Sequence, residues 1–127
     1  MLESTQIVLV SILQIIIAIG LINVWIVRFH KPTRYRGRGA GNMEQEFHAY
    51  GLPTWFMYVV GGMKLIIAGL MIIGLWRHTI VYPIAWALVG LMVGAIAMHI
   101  KVRDPLMRTL PAIGMLLMAV GIIVLGM

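Results

Sequence analysis

Four long apolar blocks divide this sequence and restrict its folds more than any other feature. They run over Ile7–Val27, Trp55–Trp76, Ile80–Ile100 and Leu106–Met127. A helix rises about 1.5 Å per residue, so blocks of about 21 or 22 residues can each cross a hydrocarbon core of roughly 30 Å. Backbone groups inside a bilayer must be hydrogen bonded within their own segment, so these blocks are expected to be helices.

The composition supports a membrane protein. Of the 127 residues 61% are hydrophobic and only 11% are charged, which excludes an ordinary soluble domain and a disordered chain. Four spans and their connections use nearly the whole length, so little remains for a catalytic domain outside the membrane. The absence of cysteine excludes disulfides and thiolate chemistry.

The predicted fold is therefore an all-α membrane protein, an antiparallel bundle of four transmembrane helices in a single domain, residues 1–127. The helices are predicted at about 6–29, 54–76, 80–100 and 105–126. The first block has no basic residue before it and is too long for a cleaved signal peptide, so it is expected to stay as an anchor. Asp104 is predicted to cap the fourth helix just before Pro105.

The connection at about 30–52 is predicted to contain a short amphipathic helix at the membrane interface. Asn42 can be its N-cap, with Gln45 as the reciprocal capping residue. Met43, Phe47 and Tyr50 follow at spacings of four and three residues, which places them on one face. We expect this face to lie under the bundle.

The basic residues lie almost entirely on one side of the predicted bundle. Eight of the ten occupy the first and third connections or their borders: Arg28, Lys31, Arg34, Arg36, Arg38, Lys101, Arg103 and Arg108. Only Arg77 lies on the opposite side. The positive-inside rule then predicts that the eight face the cytoplasm and that both termini lie outside it. The high pI is thus attributed to a membrane surface, and no nucleic-acid partner is expected.

Five of these basic residues are candidates for contact with lipid headgroups or a protein partner: Arg34, Arg36, Arg38, Lys101 and Arg103. Basic residues near an anionic leaflet each contribute about 1 kcal/mol of attraction. The alternative is that they serve only as the topology signal.

Lys64 is the single charge deep inside an apolar block. It is the tenth residue of the second block, which places it near the middle of the membrane, where a lysine costs about 3 kcal/mol to insert. No carboxylate lies in any of the four blocks. Three interpretations remain open: a polar pocket for an anionic or carbonyl-bearing ligand, a solvated structural lysine, or a pair with a carboxylate of a partner subunit.

A pocket around Lys64 would draw on a few further side chains. The candidate polar groups are Asn23, Gln14 and His99, and the candidate walls are Trp25 and Trp55. His99 could carry a proton or donate to a quinone, or could simply lie at the interface. A quinone or a lipid is the ligand considered, and no metal or other cofactor is expected. Scattered methionines are attributed to apolar packing.

Several glycines are assigned to helix packing. Gly90 and Gly94 form a GxxxG pair in the third block, and Gly61 and Gly62 lie in the second. Small residues let helices approach closely, either within the bundle or in a homo-oligomer.

The stretch GLPTWFMYVVGGMKLIIAGLMIIGLW resembles the DoxX-like family of small four-helix membrane proteins. The residues that carry the resemblance are Gly51, Leu52, Pro53, Trp55, Phe56, Gly61, Lys64 and Gly69. The later stretch AMHIKVRDPLMRTLPA also fits. The resemblance implies a four-helix bundle in a bacterial inner membrane. It also implies links of some relatives to thiosulfate:quinone oxidoreductase, and assembly or chaperone roles for others.

These observations favour a non-catalytic accessory, assembly or anchoring subunit of a membrane complex, in which the partner is another membrane protein or a second copy. The alternative is a quinone- or lipid-binding protein with its pocket around Lys64. A transporter is disfavoured because no deep carboxylate exists. No catalytic constellation is visible, so the chain is expected to be at most a subunit of an oxidoreductase.

Overall fold

The computed structural model describes residues 4–27, 29 and 40–126, and within these residues it is helical without strands. The helices are α1 (Ser4–Ile22), α2 (Met43–Ala49), α3 (Thr54–Ile73), α4 (Val81–Lys101) and α5 (Leu106–Leu125). The π-helical segment Asn23–Val27 extends α1, and the 3-10 turn His78–Ile80 leads into α4. The predicted all-α membrane fold is confirmed.

Four of these helical stretches are long and apolar enough to cross a membrane. They are Ser4–Val27, Thr54–Ile73, His78–Lys101 and Leu106–Leu125. Large apolar side chains such as Ile19, Ile66 and Val124 point outward and are exposed on the bundle surface. In a bilayer, apolar side chains exposed on spanning helices contact the hydrocarbon.

The main core lies where the four long helices meet. Ile17 of α1, Met71 of α3, Leu88 of α4 and Ile122 of α5 are completely or almost completely buried. Their neighbours recur at helical spacing, as in Ile17 with Leu21, which gives each helix one inward stripe. This core occupies the half of the bundle remote from α2.

The short helix α2 begins as the sequence predicts. The Gln45 backbone N–H donates to Asn42 Oδ1 at 2.9 Å, and the Gly41 N–H donates to Gln45 Oε1 at 2.7 Å. The reciprocal bond thus reaches Gly41 instead of Asn42. After α2 the chain turns at Gly51, whose φ of +81° suits glycine.

A second, aromatic cluster joins α2 to the bundle. Trp25, Met43, Phe47 and Met57 are buried together at this end. The Trp25 ring lies directly on Gly61 of α3, where a Cβ would come within 2.5 Å of two ring carbons. Gly61 is therefore needed for this close approach of the π-helical segment to α3.

Candidate functional site

A cavity of about 730 Å³ lies between the four long helices and α2, at the end of the bundle where α2 packs. Its volume falls within the range of roughly 300–1,000 Å³ that is usual for small-molecule sites. It extends from Phe47 of α2 to Gly90 near the middle of α4. The cavity is therefore large enough for an organic ligand and reaches deep into the membrane-spanning part.

The deeper wall of the cavity is apolar. Leu21, Leu91 and Met115 supply side chains from α1, α4 and α5. Gly90 and Gly94 also line it, and both are exposed, with no atom within 4 Å of the position of a Cβ. The cavity thus reaches the outer surface of the bundle along α4.

Five polar side chains occupy the end of the site near α2, and they are called the polar cluster below. They are Glu46, Tyr50, His99, Asp104 and Arg108. All but Asp104 line the cavity itself. Although they belong to α2, α4, α5 and the turn before α5, the fold brings them into one chain of contacts.

The contacts of the polar cluster run from α2 to α5. The Tyr50 hydroxyl donates to Glu46 Oε1 at 2.8 Å and lies 3.4 Å from His99 Nε2. His99 Nδ1 is 2.8 Å from Asp104 Oδ2, and Arg108 donates to Asp104 Oδ1 at 3.0 Å. Charged groups make the stronger hydrogen bonds, so Asp104 holds both the imidazole and the guanidinium in fixed positions.

The turn between α4 and α5 differs from its prediction. Asp104 does not cap α5: the helix follows Pro105 without a side-chain cap bond, so the predicted N-cap is wrong. Both carboxylate oxygens of Asp104 are engaged by His99 and Arg108 instead, and its side chain is 1% exposed. The carboxylate is thus committed to the polar cluster.

Lys64 enters the same cavity from α3. Its Nζ lies 5.3 Å from the centroid of the Trp25 ring, a cation–π distance. Glu46 is close enough to act electrostatically on this ammonium. The described residues offer Lys64 no hydrogen bond or ion pair within bonding distance, so its donors remain available on the cavity side.

Four of the residues proposed from the sequence meet at this cavity: Lys64, Asn23, His99 and Trp25 all line it. Gln14 does not, because it is fully buried in the main core and donates to the Met71 carbonyl oxygen at 2.9 Å. Among the described residues its Oε1 has no hydrogen-bond partner.

The second proposed wall, Trp55, also lies elsewhere. It is 66% exposed on the outer side of α3 and contacts the ring of Phe56. Its position fits the aromatic belt of a spanning helix.

The other candidate residues are distributed as follows. Arg34, Arg36 and Arg38 lie outside the described residues. Lys101 donates from Nζ to the Tyr50 carbonyl oxygen at 2.9 Å and so ties α4 to the end of α2, whereas Arg103 is exposed.

Among the glycines assigned to packing, Gly61 contacts Trp25. Gly62, Gly90 and Gly94 have no described neighbour within 4 Å of a Cβ position.

Sequence reasoning missed Glu46, Tyr50, Asp104 and Arg108 as members of one site. A signal existed for Glu46, because it follows Met43 by three residues and so shares the inward face of α2 with Tyr50. Glu46 also lies in the first turn of α2, where the helix dipole favours an acidic residue. The sequence therefore explained Glu46 as a dipole-stabilising residue and gave no reason to place it in a site.

Comparison with known protein families shows what the chain is similar to. A model of the DoxX-like family matches residues 38–122, which include α2, α3, α4 and most of α5. The matched part contains Lys64 and the whole polar cluster. No curated protein and no solved structure matches the chain.

Proposed function

Since this chain belongs to the DoxX-like family of membrane proteins, we propose that it binds a quinone- or lipid-like molecule inside the bundle. The observation that carries the proposal is the joint position of Lys64 and the polar cluster at one end of a large apolar cavity. A membrane-soluble ligand needs a site with one polar end and one apolar end, because its headgroup requires polar partners and its tail favours apolar walls.

The ligand would lie with its headgroup at the α2 end. A headgroup oxygen can accept a hydrogen bond from Lys64, whose ammonium supplies three donors. The tail would follow Leu21, Leu91 and Met115 towards the middle of the membrane. The opening beside Gly90 and Gly94 would let the tail continue into lipid.

Lys64→Met tests this proposal. Loss of a hydrogen bond from a charged donor costs about 1.5–3 kcal/mol, so ubiquinone-1 should bind the variant at least about tenfold more weakly. Binding is measured by quenching of tryptophan fluorescence in nanodiscs, since Trp25 lines the cavity. Arg77→Met, at the opposite end, is the matched control and should bind normally.

The extracted lipids and quinones of the same preparations identify the natural ligand. Mass spectrometry should find one amphiphile enriched in the wild type and in Arg77→Met but reduced in Lys64→Met. Equal ubiquinone-1 affinity and equal ligand content in all three proteins would show that Lys64 is only structural.

An accessory role in a membrane complex is a second proposal, and it rests on the open face of α4. Gly90 and Gly94 expose the helix backbone there, and small residues allow a neighbouring helix to approach closely. The occupant would be a helix of another membrane protein or of a second copy. The links of some family relatives to redox assemblies point in the same direction.

Gly90→Leu should break this association. Purification in mild detergent should retain a stoichiometric partner or a dimer with the wild type and lose it with the variant, because leucine fills the approach surface. Gly62→Leu, on the similarly open face of α3, is the control. Retention of the partner by Gly90→Leu would count against association through α4.

We further propose the bacterial inner membrane as the location, with both termini outside the cytoplasm. The support is the concentration of basic residues at the α2 end, where Lys101, Arg103 and Arg108 lie, against Arg77 at the other.

A further inference from the structure

The Tyr50 hydroxyl lies between two groups that can each hold a proton. Glu46 Oε1 is 2.8 Å from it on α2, and His99 Nε2 is 3.4 Å from it on α4. Glu46 and His99 are 8% and 6% exposed, so bulk water does not readily replace these contacts. Tyr50 thus connects a carboxyl group to an imidazole inside the polar cluster.

Asp104 determines whether His99 can accept or donate a hydrogen bond in its contact with Tyr50. Its carboxylate accepts from Nδ1, which keeps a proton on that nitrogen and turns Nε2 towards Tyr50. Neutral His99 therefore presents an acceptor at Nε2, and protonated His99 presents a donor. Arg108 holds the second oxygen of Asp104 and prevents this carboxylate from turning away.

Within the contacts between the described residues, the cluster can hold one proton in two arrangements. A tyrosine hydroxyl donates one proton and can accept others. If Tyr50 donates to Glu46, His99 must be protonated to donate to the tyrosine oxygen. If Tyr50 donates to His99, Glu46 must be protonated in order to donate to the tyrosine oxygen. Both arrangements contain the same number of protons and differ only by a shift along the chain.

We propose that Glu46, Tyr50 and His99 form a proton relay at the headgroup end of the cavity. Resting on the ligand-binding function proposed above, this inference narrows the ligand to one whose headgroup carries an exchangeable hydroxyl, such as a quinol. The relay lines the cavity at all three residues, so a bound headgroup can lie against it.

The proposed exchange is a proton transfer without oxidation or reduction. The ligand O–H bond breaks as its proton passes to the Tyr50 oxygen. The original Tyr50 O–H bond breaks in turn, and its proton forms a new O–H bond at Glu46 Oε1, the acceptor to which Tyr50 already donates. Lys64, which lines the same cavity, would supply a positive charge to stabilise the resulting ligand oxyanion.

Among the described residues, charged groups approach the relay from α3, α4 and α5. Lys64 approaches from α3, Lys101 is tied to the Tyr50 carbonyl oxygen from α4, and Arg108 is paired with Asp104 at the start of α5. Asp104 faces the imidazole directly. A variant at Glu46 therefore changes both the field at His99 and the hydrogen-bonded path, and the experiment must separate these two effects.

The relay is tested first without any ligand, by 15N NMR of histidine in nanodiscs at one fixed pH. The His99 signals are assigned by their loss in His99→Gln. Glu46→Gln removes the carboxylate that accepts from Tyr50 and should shift the His99 ring nitrogen signals. In the Tyr50→Phe background the same substitution should shift these signals by half as much or less, because the connecting hydroxyl is missing.

Equal shifts in the two backgrounds would mean that Glu46 acts only through space and would overturn the relay. Glu46→Asp gives an independent reading in case Tyr50→Phe misfolds, because it keeps the charge but withdraws the carboxylate by one methylene. If the relay exists, Glu46→Asp should produce at least half of the shift that Glu46→Gln produces. If Glu46 acts only through its electrostatic field, Glu46→Asp should produce almost no shift.

The ligand class is tested with ubiquinol-1 and ubiquinone-1 under argon. Tyr50→Phe should weaken ubiquinol-1 binding at least fivefold relative to ubiquinone-1, with Tyr58→Phe on the outer face of α3 as the control. An equal effect on both ligands would overturn the hydroxyl preference. Absence of binding for both in the wild type would overturn the proposed function and this ligand class, whereas the relay itself is decided by the NMR comparison of the variants.

Discussion

At the scale of single residues, three charged side chains at the α2 end, Asp104, Arg108 and Lys101, each have a polar partner. Asp104 is almost fully buried and holds His99 and Arg108, while Lys101 is bonded to a backbone carbonyl oxygen of α2. Buried charges are tolerated only when partners compensate them, because removal from water is costly. Asp104 is therefore the residue on which the polar cluster depends most.

Asp104→Asn should lower the stability of the folded protein. Removing one partner of a buried ion pair usually costs about 3–5 kcal/mol. The Arg108 side chain is 32% exposed, so water can partly replace the lost carboxylate. We therefore expect a smaller loss of unfolding free energy, about 2 kcal/mol. Thermal unfolding in detergent micelles would detect this as a lower Tm.

Glu44→Gln is the appropriate control, because Glu44 is exposed on α2 and should leave the Tm unchanged. A Tm for Asp104→Asn equal to that of the wild type would mean that the buried contacts contribute nothing to stability.

At the scale of the elements, local sequence patterns were enough to predict the four spanning helices and the inward face of α2. The four spans follow from apolar length, and the α2 face follows from the spacing of Met43, Phe47 and Tyr50, all of which are buried. Such patterns depend on neighbours in sequence and need no knowledge of the tertiary fold.

The side of a membrane helix that faces its neighbours was much harder to predict. Apolar residues occur on every side of α1, so the apolar pattern alone does not distinguish the core side from the lipid side. The sequence made both Gln14 and Asn23 candidates for the pocket around Lys64, whereas the fold turns Gln14 into the main core and Asn23 to the cavity. The pairing of Tyr50 with His99, 49 residues apart, is likewise a tertiary contact that no local pattern contains.

At the scale of the whole molecule, the two ends of the bundle differ in charge and in structure. The α2 end has the polar cluster and the cavity, together with Lys101 and Arg103, while the other end has Arg77 and a tightly packed core. If the basic end faces the cytoplasm, the proposed headgroup site lies on the cytoplasmic side of the membrane.

Single cysteines can test this orientation directly, because the chain has no cysteine of its own. A membrane-impermeant maleimide should label Arg77→Cys in intact cells and should label Arg103→Cys only after the cells are permeabilised. Both positions are exposed, so a difference in labelling reflects sidedness and not burial. The reverse pattern would invert the proposed orientation.

Because the cavity opens beside Gly90 and Gly94, the affinity of a ligand must be expressed relative to its concentration in the membrane. A ligand that arrives through this opening comes from the surrounding lipid, where it is far more concentrated than in water. The relevant quantity is then its mole fraction among the lipids, and occupancy depends on that fraction and not on the total volume of the sample. Diluting the protein with empty membrane should strip the ligand, whereas diluting it with buffer should leave occupancy unchanged.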